Sequence, residues 1–195
     1  MQIDPEQFAA RMAELYDQME KAYDIVARQL EFTCDGCPDN CCDSYFLHHT
    51  YAEWAYLWVG LGELEPERHK AIEARAAEYA AQCHAALERE ERPRAMCPLN
   101  EAGRCSLYKH RLMICRMHGV PSSLTFPNGQ TKKFPGCFRC QEIVAGREVV
   151  PMVERAPLLR GLVAIEQELL GDQQGQLPKV KKTIADMILL GPPRL

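Results

Sequence analysis

The residues CDGCPDNCC at 34–42 bring Cys34, Cys37, Cys41 and Cys42 into nine positions. A second set, Cys97, Cys105 and Cys115, follows with seven and nine residues between its members, and Cys137-x2-Cys140 closes the series. A C-x2-C spacing lets two sulfurs converge on one ion from a single tight turn, which is why it recurs in zinc and iron–sulfur sites. One such pair is a weak signal. Two pairs, a Cys-Cys dyad and three further thiols together point to metal binding. Nine thiols exceed the four ligands of one tetrahedral zinc. The expectation is therefore two sites, one multinuclear cluster, or thiols used transiently in redox or metal transfer. Adjacent side chains diverge, so Cys41 and Cys42 are expected to serve different metals, or one to ligate while the other supports. Pro38 and Pro98 each follow a cysteine and fit Cys-Pro turns around such a centre.

The charge distribution agrees with this chemistry. From Cys97 to Cys140 there are seven Lys or Arg (Arg104, Lys109, Arg111, Arg116, Lys132, Lys133, Arg139) against one acid, Glu101. That segment is +6, which leaves −10 for the remainder of a chain whose total is −4. Four thiolates on Zn²⁺ leave a net negative centre, and an iron–sulfur core is also anionic. Basic neighbours offset that charge and can hydrogen-bond the sulfurs. A solvated basic face or a nucleic-acid patch is the alternative reading.

Other chemistries find little support. There is no G-x-S-x-G, no phosphate-binding G-x-x-x-x-G-K-[ST] and no dinucleotide fingerprint. No single cysteine stands apart as a nucleophile with its own base. His118, three residues after Cys115, is a candidate ligand, and His48 and His49 could reach the first loop; a surface or hydrogen-bonded role is the simpler reading of each. His69, His84 and His110 carry no site signal.

The elements that must hold these loops are helices. Asp4 can cap a first helix with Pro5 at its first position and Gln7 completing a capping-box-like pair. Phe8, Met12, Leu15, Met19, Tyr23, Val26 and Leu30 then recur every three or four residues as one apolar stripe. Thr50-x-x-Glu53 reads as a capping box opening a short helix through Trp54, Leu57 and Trp58, which Gly60 and Gly62 should end. Its aromatic residues, with Tyr51 and Tyr56, are expected to pack over the metal loop. A longer helix from Pro66 to about Glu91 carries Ile72, Ala76, Tyr79, Ala80, Cys83 and Leu87 on one stripe. Cys83 is thus read as a small buried hydrophobe, not a ligand. Periodicity then lapses from Pro93 to about Gly146, where Asn128-Gly129 signals a hairpin. A helix follows Pro157 through Leu159, Leu162, Val163, Ile165, Glu166 and Leu169. A last one carries Val180, Ile184, Met187 and Ile188 before the Gly191-Pro-Pro stop. The predicted fold is mainly α: a bundle-like helical scaffold, residues 1–195 as one domain. Its irregular metal-binding loops lie at 34–42 and 97–140 between the helices, with one small β-hairpin.

Hydrophobic residues at 47% and charged residues at 26% of 195 describe an ordinary globular chain. Its most apolar run, WAYLWVGLG, is nine residues, far short of the roughly 20 a membrane helix needs. No basic leader precedes an apolar run at the start, so a cytoplasmic location is expected, where thiols stay reduced. A disulfide framework remains the alternative in an oxidising compartment.

Taken together, these residues resemble the YkgJ-type CxxCxxCC family, small cysteine-rich proteins described as zinc- or iron-chelating domains. CDGCPDNCC is similar to the family's first element, and Thr50 with Glu53 to its helix start. CPLNEAGRCSLYKHRLMICR is similar to its third block, with Cys97, Cys105, Tyr108, Arg111, Cys115 and Arg116 in matching places. The likeness spans residues 34–121. Leu112 departs from it, standing where the family has Pro after Arg, and Cys137 and Cys140 lie outside the strongest part of the motif. The resemblance implies chelation by these cysteines, often of a [4Fe–4S] cluster, without a defined reaction.

The leading expectation is an iron–sulfur protein for electron transfer, redox sensing or maturation of another metalloprotein, with a protein redox or maturation partner. An iron–sulfur oxidoreductase component is one form this could take. Cys34, Cys37, Cys41, Cys42, Cys97, Cys105 and Cys115 are the core ligands and Cys137 and Cys140 the second rank. The alternative is an adaptor module with structural Zn²⁺. A nucleic-acid-binding regulator is third.

Overall fold

The first helix starts where the cap residue dictates. The Asp4 carboxylate accepts the N–H groups of Glu6 and Gln7 at 3.0 and 3.1 Å, and Pro5 opens α1, Pro5–Gln29. Phe8, Met12, Leu15, Tyr16, Met19 and Val26 form its buried face. A computed structural model describes residues 3–35, 37 and 41–195. Pro38, read above as part of a Cys-Pro turn, lies outside the described residues.

The chain is mainly α. After a single 3-10 turn at Cys41–Asp43 come α2, Tyr51–Gly62, and α3, Pro66–Glu88. Two short strands, β1 (Asn100–Glu101) and β2 (Arg104–Cys105), pair antiparallel, and α4, Met113–Met117, follows. Strands β3 (Ser122–Thr125) and β4 (Thr131–Phe134) form the hairpin expected around Asn128-Gly129. Helix α5, Phe138–Val144, leads to β5, Val153–Glu154. Helices α6, Ala156–Leu170, and α7, Ile184–Leu189, complete the chain. Strand β5 adds parallel to β3, so the anticipated lone hairpin is the larger part of a three-stranded sheet in the order β4-β3-β5.

Helix α2 is apolar nearly all round, which requires burial on more than one side. Ala52 and Tyr56 join a hydrophobic cluster with α1 and with Leu158, Leu162, Ile165 and Leu169 of α6. Trp54, Leu57 and Leu61 join a second cluster with Ile72, Ala76, Tyr79 and Cys83 of α3 and with Ala185, Met187 and Ile188 of α7. Each large side chain fully buried in these clusters, such as Met12, Leu57, Ile72 and Leu169, contributes about 1.5–3 kcal/mol.

Several local readings are corrected. Gly60 does not end α2, which continues to Gly62. A Cβ at Gly60 would fall 2.5 Å from His110 Cγ and Nδ1, so the glycine makes room for a ring. The buried stripe of α6 uses Leu158, whereas Leu159 and Val163 are exposed, and Leu87 of α3 is half exposed. The aromatic residues of α2 serve the C-terminal segment more than the thiols. Trp54 and Trp58 both donate their indole N–H to the Met187 carbonyl, at 3.0 and 2.9 Å, and Tyr51 Oη donates to Pro178. Among the described residues no helix is long and apolar enough to cross a membrane.

Candidate metal centre

Between the two hydrophobic clusters lies a cavity of about 710 Å³ lined by Cys34, Cys41, Cys42, Cys97, Cys105 and Cys115. Three separate pieces of chain deliver them. Residues 41–42 form the 3-10 turn, and the Cys42 carbonyl accepts the Cys97 N–H at 2.8 Å, joining the first cysteine loop to the second set. Cys97 and Cys105 flank the β1–β2 turn: the Cys97 carbonyl accepts from Asn100 N at 2.9 Å, and Cys105 lies opposite Asn100 in the ladder. Cys115 is carried by α4.

Burial and mutual proximity govern the thiols. Burial first, then the neighbouring Cys97, Cys105 and Cys42, pushes the Cys115 thiol well up. Burial pushes Cys97 up to about 12. Cys41 donates a hydrogen bond to Cys42, so Cys41 is raised while Cys42 is lowered, helped by a hydrogen bond from Asn100 and by Arg111. Thiols such as Cys97 and Cys115 that resist ionisation in the absence of a cation are good soft-metal donors, because the metal supplies the positive charge that ionisation needs.

The basic residues divide by role. Arg111 lines the cavity and lies near Cys42 and Cys105, its guanidinium over the Tyr108 ring at 3.8 Å. Among the described residues its buried Nε has no hydrogen-bond partner. Arg116 is a clamp: Nε donates to the Arg111 carbonyl at 2.7 Å and Nη2 to that of Lys109 at 2.6 Å. Lys132 and Lys133 stand on exposed β4. Arg75 of α3, outside the basic segment, holds the Cys97-Pro98 turn by donating to the Pro98 carbonyl at 2.8 Å.

The remaining thiols lie elsewhere. Cys83 is buried in the second cluster, where the Tyr79 hydroxyl donates to its sulfur. Cys37, Cys137 and Cys140 do not line the cavity. Cys140 is fully buried against the first cluster, and the Cys137 N–H donates to the Gly119 carbonyl at 2.9 Å. Cys34 borders both regions: it lines the cavity and lies within electrostatic reach of Cys41, yet also of Cys37, Cys137 and Arg139.

Of the histidines, His48, His110 and His118 line the cavity, whereas His49 Nδ1 contacts the Val180 carbonyl at 3.2 Å. His110, which carried no sequence signal, is buried in the cavity wall with its ring 4.6 Å from that of Tyr56. The capping-box reading of Thr50-x-x-Glu53 holds only in half. Thr50 Oγ1 accepts the Glu53 N–H, but the Glu53 carboxylate takes the Thr50 hydroxyl and the N–H of Met113. Glu53 thus caps α4, an assignment local spacing could not supply.

All ten cysteines are free thiols. Among the described residues no three His, Cys, Asp or Glu side chains stand gathered as a ready metal-binding group; the sulfurs ring the cavity and must draw together to hold an ion. Their number, softness and convergence from three chain segments fit iron–sulfur or zinc chemistry. No family model matches the chain, no curated protein matches its sequence, and no solved structure matches it.

Proposed function

We propose that this chain is a cysteine-rich metal-chelating protein whose main centre is an iron–sulfur cluster of the [4Fe–4S] kind. It serves electron transfer, redox sensing or metalloprotein maturation in the cytoplasm, with a protein redox or maturation partner. The ligands come from Cys34, Cys37, Cys41, Cys42, Cys97, Cys105, Cys115, Cys137 and Cys140. The observation that carries this reading is the convergence of six thiols on one cavity. The buried Arg111 Nε beside them, unpartnered among the described residues, is a donor suited to a sulfur of an anionic centre. The resemblance to the YkgJ-type family accords with it.

Anaerobic purification followed by a visible spectrum and iron, sulfide and zinc analysis is the test. A brown protein that dithionite bleaches, with iron and sulfide in equal amounts, supports the cluster. A colourless protein with stoichiometric zinc, unchanged by anaerobic reconstitution with iron and sulfide, supports the adaptor instead. A protein that retains no metal under either treatment overturns both.

A further inference from the structure

Resting on that chelation reading, we propose that the nine thiols form two separate centres. Cys34, Cys37, Cys137 and Cys140 hold one tetrahedral zinc-type dication, and Cys41, Cys42, Cys97, Cys105 and Cys115 serve the cavity.

The division follows from what joins the chain where. The two C-x2-C turns are tied at their middles: Arg139, between Cys137 and Cys140, donates Nη1 to the carbonyl of Asp35, between Cys34 and Cys37, at 3.1 Å. Within the first turn the Cys37 N–H donates to the Cys34 carbonyl at 3.1 Å. Tyr23 of α1 is common to the group. Its hydroxyl donates to the Cys34 sulfur and lies within electrostatic reach of Cys137 and Cys140. The second turn is pinned from behind. Gly136 has φ +85, and a Cβ there would fall 2.4 Å from the Gly119 carbonyl oxygen that accepts the Cys137 N–H. Only glycine meets both conditions.

Two C-x2-C turns linked through Arg139 and Asp35 carry four sulfurs, the full complement of a structural zinc, and these must draw together to hold the ion. The Arg139 and Arg147 charges beside them offset the net negative charge of four thiolates on a dication. Three of the four, Cys37, Cys137 and Cys140, are outside the cavity, and Cys34 stands at its border, so this group leaves Cys41, Cys42, Cys97, Cys105 and Cys115 to a multinuclear core. The same division resolves the CDGCPDNCC run: its first pair is tied through Asp35 to Arg139 of α5, and Cys42 of its dyad is tied to Cys97. Ferrous iron shares the four-sulfur chemistry with zinc, and metal analysis separates the two.

The test uses the full chain, purified anaerobically and reconstituted with iron, sulfide and zinc. In Cys37→Ser/Cys137→Ser, about one equivalent of zinc or of colourless-site metal is lost, while the visible absorbance and sulfide content of the cavity centre persist. In Cys105→Ser/Cys115→Ser the absorbance and sulfide are lost and about one zinc remains. Should either variant fold poorly, zinc-edge X-ray absorption of the unmodified protein decides: four sulfurs at about 2.3 Å support the site, and nitrogen or oxygen ligands oppose it. Mononuclear ferrous iron in place of zinc also supports it. Loss of both metals in both variants, or a zinc count unaffected by Cys37→Ser/Cys137→Ser, overturns the division while leaving chelation itself intact. A parent protein free of metal overturns the underlying reading instead.

Discussion

The buried Glu53 carboxylate on α2 accepts the backbone N–H of Met113, the first residue of α4, at 2.6 Å. Cys115 stands two residues further on, so one carboxylate couples the central helix to a cavity thiol. In Glu53→Ala the Met113 N–H and the Thr50 hydroxyl lose their acceptor, and stability should fall by about 1–3 kcal/mol. Glu53→Gln keeps an acceptor oxygen and should stay within about 1 kcal/mol of the parent. Urea unfolding measures both, and metal release to a chelator should quicken in the alanine variant alone.

Gly60 and His110 form a second close relationship. Gly60→Ala gains about 1 kcal/mol of helix propensity, but its methyl meets a buried ring at 2.5 Å. Overpacking of this kind costs about 1–3 kcal/mol, so the net effect should be destabilising. In a His110→Ala background the same substitution should become neutral or stabilising, which a double-mutant cycle reads directly.

His48 is buried, and that burial, followed by the charge of His49, pushes its pKa down to about 3. A depressed histidine makes the unfolded chain bind the extra proton. Its contribution to stability is therefore complete above about pH 6.5 and is lost as pH falls from there toward 3. Burial raises Glu53 and Glu166, so these carboxylates act in the opposite sense on acidification. The comparison of parent with His48→Asn isolates the histidine: the variant's curve should be shallower across that window by at most about 1.4 kcal/mol per pH unit. Parallel curves in metal-free protein would show that His48 is not buried neutral.

Cys83 and Cys115 provide a paired control. Cys83→Ser puts a hydroxyl into the second apolar cluster and should cost about 1–3 kcal/mol with metal content unchanged. Cys115→Ser should lower metal content. Equal metal loss in both would move Cys83 out of the core and into the site.

Much of this arrangement is legible from residue patterns. Asp4 and Pro5 announce α1, the stripe from Phe8 to Val26 identifies its buried face, and Cys83 declares itself by lying between Tyr79 and Leu87 on a helix. What escapes are facts about meetings between distant segments. Gly60 looks like a helix stop because nothing local reveals His110 beneath it. The one-residue shift from Leu159 to Leu158 reflects how α6 is rotated onto α1, which periodicity constrains only loosely. The pairing of β5 with β3 and the reach of Glu53 to Met113 both join residues dozens of positions apart. The cysteine motif marks nine sulfurs, yet the tie between Asp35 and Arg139 that sorts them is a single non-local hydrogen bond.

The first two N–H groups of α2 are capped by Glu166 of α6, at 2.9 Å for Tyr51 and 2.6 Å for Ala52, and α1 packs along α6 with Arg11 paired to Glu168. Every cysteine therefore precedes in synthesis the helix that braces their scaffold, which begins at Ala156. The cysteine loops are thus made before the helix that fixes α1 and α2 against one another, and they gain that brace only once α6 has docked.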